Sequence, residues 1–221
     1  APKAAKEIYI PAVPHTIRKV GGKSIELTHS LRLLVPGELD SRVTVRVLST
    51  DGSFIPSGFE NKIVKAGSVV SLGLSPNLPT SKFGLHISSD EPLVASVYSP
   101  TYSENKTDFI WSTSVPELTP ISMATSGLSP QLVFIGGVIS IDIELLLDKG
   151  KRKVLKVRGD EIATIKIPDG VRSITFIKVA KGIYGAGLIA TKSGYGYFPL
   201  SPGSVLTKSS VPLSNIRVLT P

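Results

Sequence analysis

The hexapeptide Arg42-Val43-Thr44-Val45-Arg46-Val47 alternates without exception between apolar valines and polar side chains. A period of two puts the three valines on one face of a strand, and that face needs a second apolar surface to cover it. Long polar side chains on the other face mark a half-buried antiparallel strand. Asp51-Gly52 follows closely, a pair that tolerates positive φ and therefore turns the chain. The pattern returns in Ser140-Ile141-Asp142-Ile143-Glu144-Leu145 and in Leu155-Lys156-Val157-Arg158. With 20 Gly and 17 Pro in 221 residues, little room is left for long helices.

Further strands are predicted over residues 61–64, 68–74, 84–88, 93–99 and 108–114. Lys65-Ala66-Gly67, Ser75-Pro76-Asn77 and Ser89-Asp90-Glu91-Pro92 read as turns between them. Residues 116–130 are rich in Pro, Ser and Thr and read as a linker. Strands resume over 131–147, 162–167, 173–179 and 184–190. Short strands punctuated about every 8–12 residues are the spacing of a sandwich. Val43, Val45 and Val47 before Asp51-Gly52 echo Ile141, Ile143 and Leu145 before Lys149-Gly150, which suggests a duplicated unit of about 100 residues. The expectation is an all-β chain of two tandem immunoglobulin-like antiparallel β-sandwiches. The first would occupy residues 1–118 with an N-terminal extended segment, and the second 131–221. Residues 7–14, held extended by prolines, are a candidate edge strand that could pair with the second unit. Residues 211–219 are another strand candidate.

Leu33-Leu34-Val35-Pro36-Gly37, Val43 to Val47, Asp51-Gly52, Val64-Lys65-Ala66-Gly67-Ser68 and Ser88-Ser89-Asp90-Glu91-Pro92-Leu93-Val94-Ala95-Ser96 come in a characteristic order. That order resembles an exported actinobacterial family of tandem β-sandwich proteins with no assigned biochemical activity. The resemblance covers residues 30–114 directly and 131–198 through the internal echo. It implies an extracytoplasmic module, secreted or membrane-anchored through a segment absent from this chain, and carries no catalytic residue.

The residues offer little chemistry. With no Cys there is no disulfide, thiolate nucleophile or cysteine-held metal. His15, His29 and His86 lack paired metal-ligand spacing, so neither metal nor cofactor is expected. His86 reads as a core or half-buried strand residue, and His15 and His29 as surface or junction positions. No Gly-x-Ser-x-Gly elbow is present, Gly182 to Gly187 is not followed by a helical pattern, and Asp142 and Glu144 read as the polar face of a strand. The chain is therefore expected to be non-enzymatic, with an unrecognised hydrolase as a remote alternative.

Charge is unevenly spread. Residues 1–120 carry 12 basic and 11 acidic side chains, whereas residues 121–221 carry 13 and 6. Lys149, Lys151, Arg152, Lys153, Lys156 and Arg158 put six cations into ten residues. Such a hairpin is a candidate anion-binding site for an anionic lipid surface or a cell-wall polymer. Nucleic acid is disfavoured because no aromatic platform or recognition helix accompanies the charge. Tyr98, Tyr102 and Trp111 are a candidate platform for carbohydrate or peptide. A groove joining Tyr102, Trp111 and the hairpin would mark a binding module; its absence would favour a structural or interaction module of the cell envelope, with an envelope protein as partner.

Overall fold

The computed structural model describes residues 3–79, 81–103, 106–125, 128–191 and 194–202. Their elements are strands, apart from one 3-10 turn at Asp148–Gly150. The first part of the chain forms β1 (Ala5–Pro14), β2 (Ile17–Val20), β3 (Lys23–Glu26), β4 (His29–Leu34), β5 (Ser41–Ser49), β6 (Gly52–Phe54), β7 (Lys62–Val64), β8 (Val69–Leu74), β9 (Lys82–Ser103) and β10 (Lys106–Thr113). The second forms β11 (Ser122–Ala124), β12 (Gln131–Leu147), β13 (Arg152–Lys166), β14 (Val171–Val179), β15 (Ile183–Thr191) and β16 (Gly194–Pro199). Two curled antiparallel sheets result, consistent with two sandwich-like units, together with the separate two-stranded β2–β3 sheet. The predicted strand at 211–219 lies outside the described residues. Among the described residues no helix is long and apolar enough to cross a membrane.

A strand of 22 residues, β9, organises the first unit. Its first half pairs with β1 and β5, and its second half with β4 and β10. The predicted break at Ser89-Asp90-Glu91-Pro92 is corrected: the strand passes through these residues. Glu91 N–H donates to Ser41 Oγ at 3.0 Å, and Ser89 Oγ–H donates to the Glu91 carbonyl at 2.8 Å. β1 slips register opposite this stretch, between Ala5 and Glu7, so the turn-forming residues are absorbed as an irregularity where β9 changes partners. Val43, Val45 and Val47 are at most 1% exposed on β5. Each buried valine contributes about 1.5–3 kcal/mol.

In the second unit the 17-residue β12 has the same organising role. It pairs with β13 along most of its length, with β15 over residues 131–136 and with β14 over 141–147. Hairpin-on-hairpin pairing recurs: β5–β6 lies against β9–β10, and β12–β13 against β15–β16. Val43 pairs with β7 and β9 and Val45 with β9, while Ile141 and Ile143 each pair with β13 and β14.

A third apolar cluster joins the units. Ala12, Leu48 and Ile110 meet Val133, Ile135, Ile162, Ala186 and Leu188. Contact is close enough that a Cβ on Gly84 would lie 2.6 Å from Ile135 Cγ2. The N-terminal strand pairs with β9 of its own unit, not with the second unit as one expectation had it; its tie to the second unit runs through side chains. Residues 117–124 make specific contacts with the second unit. Leu118, 3% exposed, belongs to the second core, its N–H donates to the Ile183 carbonyl at 2.7 Å, and β11 pairs with β14.

Candidate functional site

The basic hairpin forms where β12 turns through Asp148–Gly150 into β13. Lys149 adopts φ 63° and Gly150 φ 75°, which lets the chain reverse in three residues. Lys149, Lys151, Arg152, Lys153, Lys156 and Arg158 are all exposed. Cross-strand pairing brings carboxylates that the local sequence lacks. Arg152 Nη1 lies 2.7 Å from Glu144 Oε1, and Arg158 Nη2 lies 2.7 Å from Asp142 Oδ1. Hydrogen bonding from Arg158 holds the Asp142 carboxyl below its ordinary range. Lys149, Lys151 and Lys153 at the tip make no ion pair among the described residues and carry its outward charge.

The aromatic residues gather on one face of the β9–β10 hairpin. Trp111 stands opposite Tyr98, and Phe109 opposite Pro100. Tyr98 stacks on Phe109 with centroids 5.3 Å apart and meets Trp111 edge-on at 5.4 Å, while the Arg32 guanidinium sits 4.9 Å over the Trp111 ring. Tyr98 and Trp111 are thus half-buried against each other and against a cation. Tyr102, two positions along the same face, stands opposite Thr107. This face lies on the β9–β10 hairpin, and the basic tip lies at the turn of the β12–β13 hairpin, thirteen residues along the chain from Ile135 in the junction cluster.

The structure assembles a third constellation that the sequence reading missed. His15 and His29, expected at the surface or junction, are 6% and 1% exposed. His15 Nδ1 lies 3.3 Å from His29 Nε2 and 3.6 Å from Glu26 Oε1. His29 Nδ1 lies 3.0 Å from Ser99 Oγ, and the Asn77 N–H donates to Glu26 Oε1 at 3.2 Å. Phe83 presents its ring edge-on to both imidazoles. Burial, reinforced by His15, pushes His29 down to about 4; burial also lowers His15, against the opposing pull of Glu26 and the Leu78 backbone. Both rings are therefore neutral near pH 7.

One local signal could have revealed this cluster. Gly21 and Gly22 have φ 56° and 79°, the two positive values of a tight hairpin turn. They fold β2 onto β3 with Ile17 opposite Glu26, and Leu27 N–H donates to the Thr16 carbonyl at 3.2 Å. That register returns residue 29 beside residue 15, although fourteen positions separate them.

His15 also lines a cleft of about 540 Å³ between the units, with Pro14, Lys82, Gln131, Lys166 and Asp169 among its other walls. Elsewhere on the junction, Tyr9 lies between His86 and Tyr184, with centroids at 4.5 and 3.8 Å and rings within 10° of parallel. His86 is half-buried, as its strand pattern predicts, and its Nε2 lies 2.5 Å from Glu7 Oε2.

Fold and sites define an all-β protein of two joined sandwich-like units. Residues 1–135, more than half of the chain, match the family described as "Family of unknown function (DUF5719)", and the chain belongs to that family. No curated protein matches it. A solved structure, the crystal structure of Thermotoga maritima 1070, is similar with a TM-score of 0.41 and 13% identity, over 50% of this chain and 93% of that one. Likeness at that level carries no argument about function.

Proposed function

We propose that this protein is a non-enzymatic, extracytoplasmic structural or interaction module of the cell envelope, built as two immunoglobulin-like sandwiches, as its resemblance to exported actinobacterial proteins implies. The observation carrying this reading is the junction. A shared apolar cluster, the Tyr9–Tyr184 stack and the bond from Tyr197 Oη–H to the Thr113 carbonyl at 2.8 Å couple the units at three places. A fixed two-unit body suits a spacer that holds a partner at a set distance. The test is fractionation of cells carrying the full-length gene product. Recovery with the envelope supports the reading, and recovery in the cytosol overturns it.

A second reading rests on the lysine tip: an anionic wall polymer or lipid surface is held at Lys149, Lys151 and Lys153. Neutralising Lys149, Lys151 and Lys153 together should then weaken retention on wall polymer or anionic vesicles at low salt, since screened surface attraction fades as salt rises. Equal retention of both proteins removes this reading and leaves the first intact.

A further inference from the structure

We propose that His15, Glu26 and His29 form a binding site for a divalent transition metal of the zinc class, with His15 Nδ1, His29 Nε2 and a Glu26 carboxylate oxygen as ligands. The three donor atoms lie within 4.8 Å of one another. Zinc binds imidazole nitrogen and carboxylate oxygen at about 2.0–2.2 Å, so donors around a tetrahedral ion stand roughly 3.3–3.6 Å apart. Two of the three edges here, 3.3 and 3.6 Å, already have that length. Rotation of the Glu26 side chain, which is 21% exposed, shortens the third.

The surroundings are those of a ligand set. Two ring nitrogens point at each other inside the protein, an arrangement that one shared proton or one cation can satisfy. Ser99 Oγ meets the far nitrogen of His29 and, accepting its proton, leaves Nε2 free to offer a lone pair, the usual office of a group behind a metal-bound histidine. The Asn77 N–H steadies the carboxylate. Loading requires lone pairs on both facing nitrogens, so the proton held between the rings is released to solvent and binding should tighten as pH rises. Three protein ligands leave one position for water. The cleft that reaches His15 provides the way in.

The experiment titrates zinc chloride alone into the full chain by calorimetry and follows thermal unfolding in parallel. One ion per chain is expected, with a raised midpoint. Glu26→Gln, at a partly exposed position, keeps the fold and should weaken binding at least tenfold; Ser99→Ala should weaken it by about ten- to a hundredfold. Cobalt(II) in place of zinc should give the intense visible absorption of a four-coordinate site, and Glu26→Gln should remove it. His86→Ala tests the other histidine–carboxylate pair and should leave binding unchanged. The proposal is overturned by no stoichiometric binding to the wild-type chain, by affinity undiminished in Glu26→Gln, or by binding that vanishes in His86→Ala.

Discussion

Tyr9 of the first unit stacks face to face on Tyr184 of the second, with ring centroids 3.8 Å apart and planes 7° from parallel. Their hydroxyls share one environment. Burial raises the Tyr9 hydroxyl above its ordinary value, with Tyr184 and Glu7 adding to the effect. Burial raises Tyr184 as well, with Glu117 and Glu7 adding. Burial raises Tyr197 too.

In alkali the junction should fail first. The unfolded chain releases tyrosine protons near pH 10, while the folded chain holds these longer. Their contribution is fully present below about pH 10 and is lost as pH rises through the raised folded values. Tyr184→Phe should flatten the fall of the thermal midpoint on the alkaline side. A slope identical to wild type would show that the stack is not what titrates.

Gly84 should tolerate no side chain. A Cβ there would lie 2.6 Å from Cγ2 of Ile135, which is fully buried. Gly84→Val should destabilise by about 1–3 kcal/mol through overpacking. Truncating Ile135 to Ala in the same chain should recover part of that loss, read from urea unfolding as a non-additive double-mutant cycle.

The Gly21-Gly22 turn should control the histidine cluster without touching it. Both residues sit at positive φ in open space, so replacing both with Ala adds backbone strain and no clash. The strain amounts to roughly 1–2 kcal/mol per residue. Faster amide exchange at Leu27, whose N–H bonds Thr16, should report opening of the hairpin. Unaltered exchange would show that the histidines are held without it.

Leu118 should fasten the connecting segment. It is 3% exposed within the second core, so Leu118→Ala should cost about 2–5 kcal/mol. Proteolytic cleavage within residues 114–130 should accelerate in the same variant. A segment still resistant would show that β11 and the Glu117–Tyr184 bridge hold it without Leu118.

Local pattern made much of the fold legible. Val43 to Val47 and Ile141 to Leu145 were readable as strands because one face of each is buried and the other wet, which forces alternation. Ser89 to Pro92 misled because turn chemistry describes a residue's preference, while this stretch is also held from far along the chain, by the Glu91 N–H bond to Ser41 Oγ some fifty positions away and by pairing of Ser89 with Val43. The lysine tip was readable as a run of charge, and Asp142 and Glu144 as the polar face of the strand beside it; which arginine each carboxylate meets was not, since cross-strand register sets that. His15, Glu26 and His29 escaped notice for the same reason. Their proximity is a property of hairpin register, and spacing along the chain does not encode it.

The double allegiance of β9 has a consequence for synthesis. Residues 5–14 bond to a segment that begins at residue 82, and that same segment later supplies the seat for β4 and β10. A nascent chain of seventy residues therefore has no template for its own beginning. Assembly must wait for one late segment and then proceed on both flanks together, so the first unit should form slowly and in a single cooperative step.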